Sequence, residues 1–359
     1  MIDSIWIKSF RCLAELSFSF SNGRFLSIIS QNNVGKTSIL EACYVLGHLS
    51  SFVSSDLSQI VPFNLDASYM GVKIVHPNKN FNYYLKVDQQ GKKYINLNER
   101  PVRKKADIHS LFRSIYISSD SLLLITSRPS FRRQHLDMGI SQFSLAYQKN
   151  LSTYKRFILQ KNRLLKDGGN QQILYQMNAQ IAPLIRQIQR QRLMYLQDVE
   201  QRVQSFFESL NFIEGQVSIE YTSHTLKYKD EEELLVAMNQ NLSKELIIKC
   251  TNFGPHRDDF NFLINGKNIR SYFSRGVCRI LAYFFQLSQS FLLEEATGLP
   301  ILLLLDEPFS EIHPSLKNKL IGCIPSLFYV IYTSTQTDEI SCLNKDQIYA
   351  INNGRLCKI

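Results

Sequence analysis

Residues 30–38 have the types and spacing of a phosphate-binding loop: Ser30, Gln31, Asn32, Asn33, Val34, Gly35, Lys36, Thr37 and Ser38. A strand-like apolar run precedes them, and a good helix-forming sequence follows. In such a loop, backbone N–H groups and the helix N-terminus bind polyphosphate, the lysine adds a positive charge, and the next hydroxyl ligates Mg²⁺. These residues predict a site for ATP, with Mg²⁺ held by Thr37. The loop pattern has glycine where Ser30 stands.

A second group of chemical residues follows the aliphatic run at 301–305. Such a run is typical of a central strand covered on both faces, and Asp306 and Glu307 come directly after it. Open α/β sheets hold ligands at the carboxyl ends of their strands. We expect Asp306 to hold Mg²⁺ and Glu307 to orient and deprotonate the attacking water, with Lys36 as the third catalytic residue. The alternative is a core strand followed by solvated acids.

Two further positions could touch the nucleotide. Ser274 and Gly276 open a helical run, which makes an anion site, and in ATPases with this order of elements that helix meets the γ-phosphate of the opposite subunit. The alternative is a simple helix N-cap. Arg11 could reach the nucleotide from the edge of the sheet or could be a surface charge.

The elements around these residues predict an α/β protein with two lobes. Strand patterns cover residues 5–7, 16–20 and 25–29, and Asn22-Gly23 predicts a hairpin between the last two. Residues 69–75, 81–87 and 94–97 predict an antiparallel meander, and 114–118 predicts another strand. The order of elements is that of an ABC-type P-loop ATPase head. We expect one lobe from residues 1–125 and 299–359 and a mainly helical lobe from 126–298.

Residues 140–210 have helical composition. An apolar stripe at steps of three and four predicts a short packed helix rather than a long coiled coil; its members are Leu196, Val199, Val203, Phe206 and Leu210. Gly168-Gly169 is expected to break an antiparallel helix pair. Strands are expected again at 216–221 and in a hairpin at Asn265-Gly266.

The net charge of +10 indicates a polyanionic partner. Residues 128–192 contain twelve Lys or Arg and only two Asp, a surplus equal to that of the whole chain. This predicts a nucleic-acid-binding surface; the alternative is a solvated helix face. The seven cysteines are scattered without C-x-x-C spacing. Together with the lack of an apolar N-terminal segment, this predicts a cytoplasmic protein with reduced thiols, no zinc site and no membrane association.

Several motifs resemble the RecF family of bacterial DNA replication and repair proteins over nearly the full length. They are Ser9-Phe10-Arg11, the phosphate loop with Leu40-Glu41-Ala42, Arg128-Pro129-Ser130-Phe131-Arg132-Arg133 with Leu136-Asp137, Gly254-Pro255-His256-Arg257-Asp258-Asp259, Ser274-Arg275-Gly276, Leu303 to Glu307 with Ser310-Glu311, and Thr333-Ser334-Thr335. The hexapeptide that begins at Gly254 and the Arg-Arg-x-x-Leu-Asp element are specific to that family.

The resemblance implies an ABC/SMC-like P-loop ATPase head with two lobes. It further implies an ATP-dependent homodimer that binds single-stranded and duplex DNA at gaps or junctions. It also implies slow ATPase activity and cooperation with RecR in loading RecA. Lys36, Thr37, Asp306 and Glu307 would bind nucleotide and Mg²⁺, Ser274 would act across the dimer, and Arg11 would touch phosphate. A nuclease-coupled or transporter ATPase is disfavoured, because no further acidic cluster or membrane segment is visible. A non-hydrolysing scaffold that keeps the fold and partner contacts is the other alternative.

The chain departs from the family pattern at the nucleotide site and the dimer face. The family has Gly at Ser30 and Asn33, Gln at Val277 and Asp at His313, and a basic residue is missing at Val53. Asn tolerates a left-handed backbone, whereas Ser does so less well. We therefore expect ATP binding to be retained, with turnover at or below the slow rate of the family. The role of the segment that begins at Gly254 stays open, with coupling between lobes or DNA contact as the alternatives.

Overall fold

The computed structural model describes residues 1–76, 79–102, 105–211, 214–310, 312–335, 347–352 and 354–359. These residues fall into two compact units. The first consists of Met1–Ser121 and Thr297–Ile359, and the second of Leu122–Ala296. Glu311 of the Ser310-Glu311 motif lies outside the described residues.

The described elements follow one another along the chain. They are β1 (Ile2–Phe10), β2 (Leu13–Ser19), β3 (Phe25–Ile29), α1 (Lys36–His48), β4 (Ala67–His76), β5 (Lys79–Asp88), β6 (Lys93–Leu97), β7 (Arg100–Pro101), α2 (Lys105–His109), β8 (Arg113–Ser118), α3 (Leu123–Thr126), α4 (Pro129–Ser141), α5 (Leu145–Lys166), α6 (Gln171–Leu210), β9 (Val217–Thr222), α7 (Glu231–Gln240), α8 (Leu242–Ile248), β10 (Asp259–Ile264), β11 (Lys267–Asn268), α9 (Ile269–Tyr272), α10 (Arg275–Thr297), β12 (Ile301–Asp306), α11 (Pro314–Gly322), β13 (Tyr329–Ser334), β14 (Ile348–Asn352) and β15 (Arg355–Lys358). Short 3₁₀ turns occupy Leu57–Ile60 and Ser119–Leu122.

The first unit contains two six-stranded sheets. One has the order β15-β14-β3-β13-β12-β8, in which β14, β3, β13, β12 and β8 are parallel. The other has the antiparallel order β2-β1-β4-β5-β6-β7, so the predicted meander is confirmed. The side chains of residues 301–305 are 0% exposed, which confirms a central strand covered on both faces.

The predicted hairpin at Asn22-Gly23 is wrong. Strand β2 pairs with β1, whereas β3 pairs with β13 and β14 in the other sheet. The turn exists, but it links two sheets. The Asn-Gly signal is local, while the partner of β3 is decided by burial of its apolar residues in the parallel sheet.

The second unit is mainly helical. Helices α5 and α6 pack on each other, as expected from the break at Gly168-Gly169. However, α6 has 40 residues, so the prediction of a short helix is wrong. Its buried stripe begins at Leu174 and continues through Ile181 and Ile188, and Pro183 lies inside the helix without ending it. Tertiary burial of this longer stripe outweighs the local cost of the proline.

A small sheet with the order β11-β10-β9 completes the second unit. The hairpin at Asn265-Gly266 is confirmed, and both residues have positive φ, as a type I′ turn requires. Helix α10 is long and apolar enough to cross a membrane by length and composition, but 78% of its most apolar window is buried inside the protein. It is therefore a core helix of this unit.

Candidate nucleotide site and basic helix

The loop between β3 and α1 has the backbone of an anion cradle. Asn33 has a φ of 64° and Gly35 a φ of 107°, and alternation into the left-handed region turns successive N–H groups inward. A φ of 107° strains any residue other than glycine, and a Cβ atom at position 35 would also lie 2.9 Å from the Sγ of Cys12 and 3.0 Å from Leu13, whose side-chain ends would have to shift. Asparagine at position 33 supplies the left-handed conformation where the family has glycine.

Ser30 does not strain this loop. It is absent from the described residues with positive φ, so no glycine is required at its position. Its hydroxyl accepts a hydrogen bond from the backbone N–H of Ile351 at 2.7 Å, and its own N–H donates to the carbonyl of Ser334 at 3.2 Å. Serine therefore ties the loop to β14 and β13. The left-handed backbone that serine tolerates poorly is therefore not needed at position 30.

Lys36 is buried and held at the mouth of the loop. Its Nζ donates to the carbonyl oxygens of Ser30 at 2.6 Å and Gln31 at 3.1 Å, and to Oδ1 of Asn32 at 3.3 Å. It also forms an ion pair with Oε1 of Glu307 at 3.1 Å. Glu307 has a φ of 46°, a left-handed backbone that costs a non-glycine residue about 1–2 kcal/mol. That conformation turns its carboxylate toward the lysine.

Asp306 is surrounded by hydroxyl groups. Its Oδ2 accepts from Thr37 at 2.8 Å and from Tyr116 at 3.0 Å, and its Oδ1 accepts from Thr333 at 2.8 Å. Burial, followed by the charge of Asp306, raises the pKa of Tyr116, so this phenol stays protonated and donates. Sequence reasoning missed Tyr116 and assigned no site role to Thr333. The parallel register, in which Asp306 lies opposite Ser118 and Thr333, brings these strands together.

These donors suit Mg²⁺ and a polyphosphate. Mg²⁺ prefers oxygen ligands and is usually held by one or two carboxylates together with substrate phosphates. Asp306 and Thr37 provide such oxygens next to the start of α1. Among the described residues, no group of three His, Cys, Asp or Glu forms an all-protein metal cage. The residues present therefore fit a cation that arrives with its phosphate ligand.

Arg11 is engaged elsewhere in the first unit. Its guanidinium forms a two-pronged ion pair with the buried carboxylate of Glu41 on α1, and it donates to the carbonyl of Gln59 at 3.4 Å. This bonding to Glu41 raises the pKa of Arg11. The ion pair connects the residue that follows β1 to α1, the helix that follows the phosphate loop. Phosphate contact by Arg11 stays a prediction.

Ser274 and Gly276 lie in the second unit, where α10 begins. Ser274 is exposed, and its hydroxyl accepts from the backbone N–H of Val277 at 3.4 Å, a long capping contact. Val277 is 5% exposed and packs into its own unit. In the first unit, His313 caps α11 by accepting from the backbone N–H of Ser315 at 3.4 Å. Their action across a dimer stays a prediction.

Two of the family motifs meet inside the second unit. Arg132 forms a two-pronged ion pair with Asp259 at 2.6 and 2.7 Å, and Arg133 donates to the carbonyl of Asp258 at 2.7 Å. The buried carboxylate of Asp258 also lies 3.6 Å from Arg192, which bonds Asp137 at 2.8 Å. Most charges of these motifs therefore serve the interior of the unit.

The twelve cations of residues 128–192 divide into two groups. Arg132, Lys161 and Arg192 are buried in ion pairs, and Arg133 and Arg186 bind backbone carbonyls. Seven are exposed: Arg128, Lys149, Lys155, Arg156, Arg163, Lys166 and Arg190. The expectation of a single basic surface is therefore too broad.

Five exposed cations share one face of α5, here called the α5 basic face: Lys149, Lys155, Arg156, Arg163 and Lys166. At 3.6 residues per turn they occupy an arc of about 120°. The helix contains no Asp or Glu, and hence no acidic neighbour on its own surface neutralises them. The arrangement is a row of positive charge along a helix of 22 residues.

The chain is similar to known proteins over its whole length. The AAA ATPase domain family matches residues 1–329. The "DNA replication and repair protein RecF" of Lachnoclostridium phytofermentans is 26% identical, over 100% of this chain and 99% of the relative. A solved structure described as the recombination mediator protein RecF-ATP in the RecFOR pathway is 26% identical, with a TM-score of 0.84 over 100% of this chain and 97% of that one.

An SMC head bound to the C-winged helix domain of ScpA shares the fold alone, at 13% identity and a TM-score of 0.56, over 100% of this chain and 97% of that one. The α/β fold is thus that of the ABC-type ATPase heads, as predicted. The chain belongs to the AAA ATPase domain family. The resemblance to RecF proteins predicted from the motifs is confirmed over the full length, at 26% identity.

Proposed function

We propose that this chain is an ATP-binding protein of DNA replication and repair that acts in the cytoplasm. The observation that carries the proposal is the pairing of both halves of the site. Lys36 meets Glu307 at 3.1 Å, and Thr37 meets Asp306 at 2.8 Å, beside a backbone cradle. Relatives of the same length carry that function in their names, and one solved relative is a RecF-ATP complex.

The residues of the site have separate tasks in this proposal. The N–H groups of the loop and the Lys36 ammonium bind phosphate oxygens, while Thr37 and Asp306 hold Mg²⁺. When bound, Mg²⁺ would neutralise negative charge on the phosphate oxygens. Glu307 orients a water and accepts its proton, but its carboxylate is paired with Lys36 and must separate from it first. This pairing supports slow hydrolysis.

Within the proposal, the chain works as an ATP-gated homodimeric clamp at gapped or junction DNA, and it promotes RecA loading together with RecR. The α5 basic face is the surface proposed for duplex phosphates. The logarithm of the DNA-binding constant falls linearly with the logarithm of the salt concentration, and each neutralised phosphate adds about 0.9 to the steepness of that fall. Five cations therefore contribute about 4–5. Reversal of Arg156 and Arg163 to Glu should lower both affinity and slope. Unchanged DNA retention would exclude this face.

A second candidate is a scaffold that keeps the fold and partner contacts without nucleotide switching. Val277 favours it, because a buried apolar side chain stands where the family has a polar Gln at the start of α10. In a scaffold, ATP would bind without changing the oligomeric state.

Sedimentation velocity separates the two candidates. The wild-type protein is measured with and without ATP and Mg²⁺, beside Lys36→Met and the matched surface variant Lys8→Met, whose side chain is 54% exposed. The clamp predicts an ATP-dependent dimer in wild type and Lys8→Met and a monomer in Lys36→Met. A monomer under all conditions, with ATP binding retained, would support the scaffold and reject the clamp.

A further inference from the structure

A concave pocket with a volume of about 700 Å³ lies within the second unit. It is bounded by the loop after β9, by α7 and α8, and by the loop that leads into β10. Its lining includes three cations, two aromatic rings and three amides: Lys227, Lys244, Arg257, Tyr228, Phe253, Gln240, Asn241 and Asn252. Among the described residues that line it, none is acidic. We call it the 240s pocket.

One wall of the 240s pocket is anchored to α6. The guanidinium of Arg186 donates to the backbone carbonyls of Tyr228 and Asp230 at 2.5 and 2.6 Å. Buried Thr225, in the same loop, is held by the side chain of Gln189. The loop that carries Lys227 and Tyr228 is therefore fixed by side chains from a long packed helix.

The opposite wall is anchored to α5. The backbone N–H of Thr251 donates to Oδ1 of Asn162 at 2.7 Å, and that of Asn252 donates to Oε1 of Glu245 at 2.9 Å. Glu245, on α8, forms a buried ion pair with Lys161 of α5 at 2.6 Å. Both walls are thus preorganised, and the second is held by the helix that carries the α5 basic face.

The rings in the pocket are arranged for stacking. Tyr228 and Phe253 are half-buried, with centroids 6.0 Å apart and planes inclined by 28°. The Nζ of Lys227 lies 5.2 Å from the Tyr228 ring centroid. Aromatic faces beside cations are the features with which proteins hold unpaired bases and their phosphates. Amides such as Asn241 can hydrogen-bond to the edges of a base.

We propose that the 240s pocket binds an unpaired nucleotide at the single-stranded side of a DNA junction, a proposal that rests on the DNA-binding function above. The base packs on Phe253 and Tyr228, and Lys227, Lys244 and Arg257 bind the flanking phosphates. An acidic peptide would use the cations and the amides but would leave the two aromatic rings without a role. The pocket therefore fits a nucleotide better than a peptide.

The test compares two fluorescent probes by anisotropy, without ATP. One is a blunt duplex, and the other is the same duplex with an oligo(dT) overhang of about ten nucleotides, within the roughly 4–16 that such grooves cover. The variants are Phe253→Leu, which removes the ring but keeps apolar bulk, and Lys244→Gln. Lys267→Gln, an exposed cation on β11, is the matched control. Circular dichroism establishes that each variant is folded.

We expect Phe253→Leu to weaken the overhang complex about tenfold and Lys244→Gln to weaken it severalfold, with blunt duplex and Lys267→Gln unchanged. An overhang affinity insensitive to both variants overturns the proposal. So does an equal loss on both probes, or Phe253-dependent binding of an oligoglutamate peptide with no effect on the overhang. Because no ATP is present and blunt duplex is measured in parallel, failure here differs from failure of the ATP-gated clamp.

Discussion

The ion pair of Lys161 and Glu245 yields a sharp prediction about the second unit. Their side chains are 0% and 1% exposed, and Nζ lies 2.6 Å from Oε2. The ammonium also donates to Oδ1 of Asn178 at 2.6 Å, and Glu245 accepts from the N–H of Asn252. Both charges have left water, so the removal of one leaves the other unpaired.

The substitution Glu245→Gln isolates the charge, because the glutamine keeps the shape and an oxygen for Asn252. Breaking a buried pair costs about 3–5 kcal/mol of unfolding free energy. We expect about 3 kcal/mol, since Asn178 still accepts from the ammonium. Burial lowers the pKa of Lys161, and removal of Glu245 lowers it further. Lys161 of the variant then binds its proton more tightly in the unfolded state than in the folded state. The loss of unfolding free energy caused by Glu245→Gln should therefore shrink as the pH rises from 7 toward 10.

Urea unfolding followed by circular dichroism measures this effect. With a slope of about 2 kcal/mol/M, the midpoint of the helical transition should fall by about 1.5 M. The single tryptophan, Trp6, lies in the first unit, and its fluorescence reports that unit separately. Lys166→Gln, exposed on α5, should stay within about 0.5 kcal/mol of wild type. If Glu245→Gln matched this control, the assignment of a stabilising buried pair would be refuted.

Three further predictions concern the nucleotide site and the half-buried His256. Asp306→Asn should weaken Mg²⁺-dependent ATP binding at least tenfold by calorimetry, while binding measured in EDTA changes little. Gly35→Ala should weaken ATP binding about tenfold, because a φ of 107° strains the backbone of an alanine in the loop; unchanged affinity would contradict this. Burial lowers the pKa of His256 to about 4, below its unfolded value near 6.5. Stability should therefore fall by about 2 kcal/mol from pH 7 to pH 5, and His256→Gln should remove that fall.

The structure explains the neutral form of His256. Its Nε2 lies 3.1 Å from the carbonyl of Thr251, which only accepts, so this nitrogen carries the hydrogen. Nδ1 is then free to accept from the hydroxyl of buried Tyr154. A second proton would place a charge in a largely desolvated position and would require the Tyr154 hydroxyl to turn from donor to acceptor.

The sequence was sufficient for the part of the site that depends on local spacing. Lys36 and Thr37 follow a loop with a recognisable pattern, and Asp306 and Glu307 end a strand whose burial is evident from its composition. Tyr116 could not be found in this way. Its contact with Asp306 depends on the parallel register of β8 and β12, which no local pattern encodes.

Strand partners and helix length escaped prediction for a related reason. Asn22-Gly23 is a sound turn signal, but whether the flanking strands pair with each other depends on what else buries them. Pro183 is a local helix breaker, yet α6 continues through it because its apolar stripe is packed on both sides of that residue. In both cases burial of apolar side chains in the folded protein outweighed a local conformational preference.

The number of Lys and Arg residues in a segment also overestimates its surface charge, because some of these cations are buried. Arg132, Lys161 and Arg192 contribute to the sequence surplus, yet each is paired with an acid inside the unit and adds no net charge to its surface. Two of those acids, Asp259 and Glu245, lie far along the chain, which is why residues 128–192 look more basic than their surface is. What remains is concentrated on α5, where no acid intervenes. The case for a DNA surface thus narrows from a segment to one helical face.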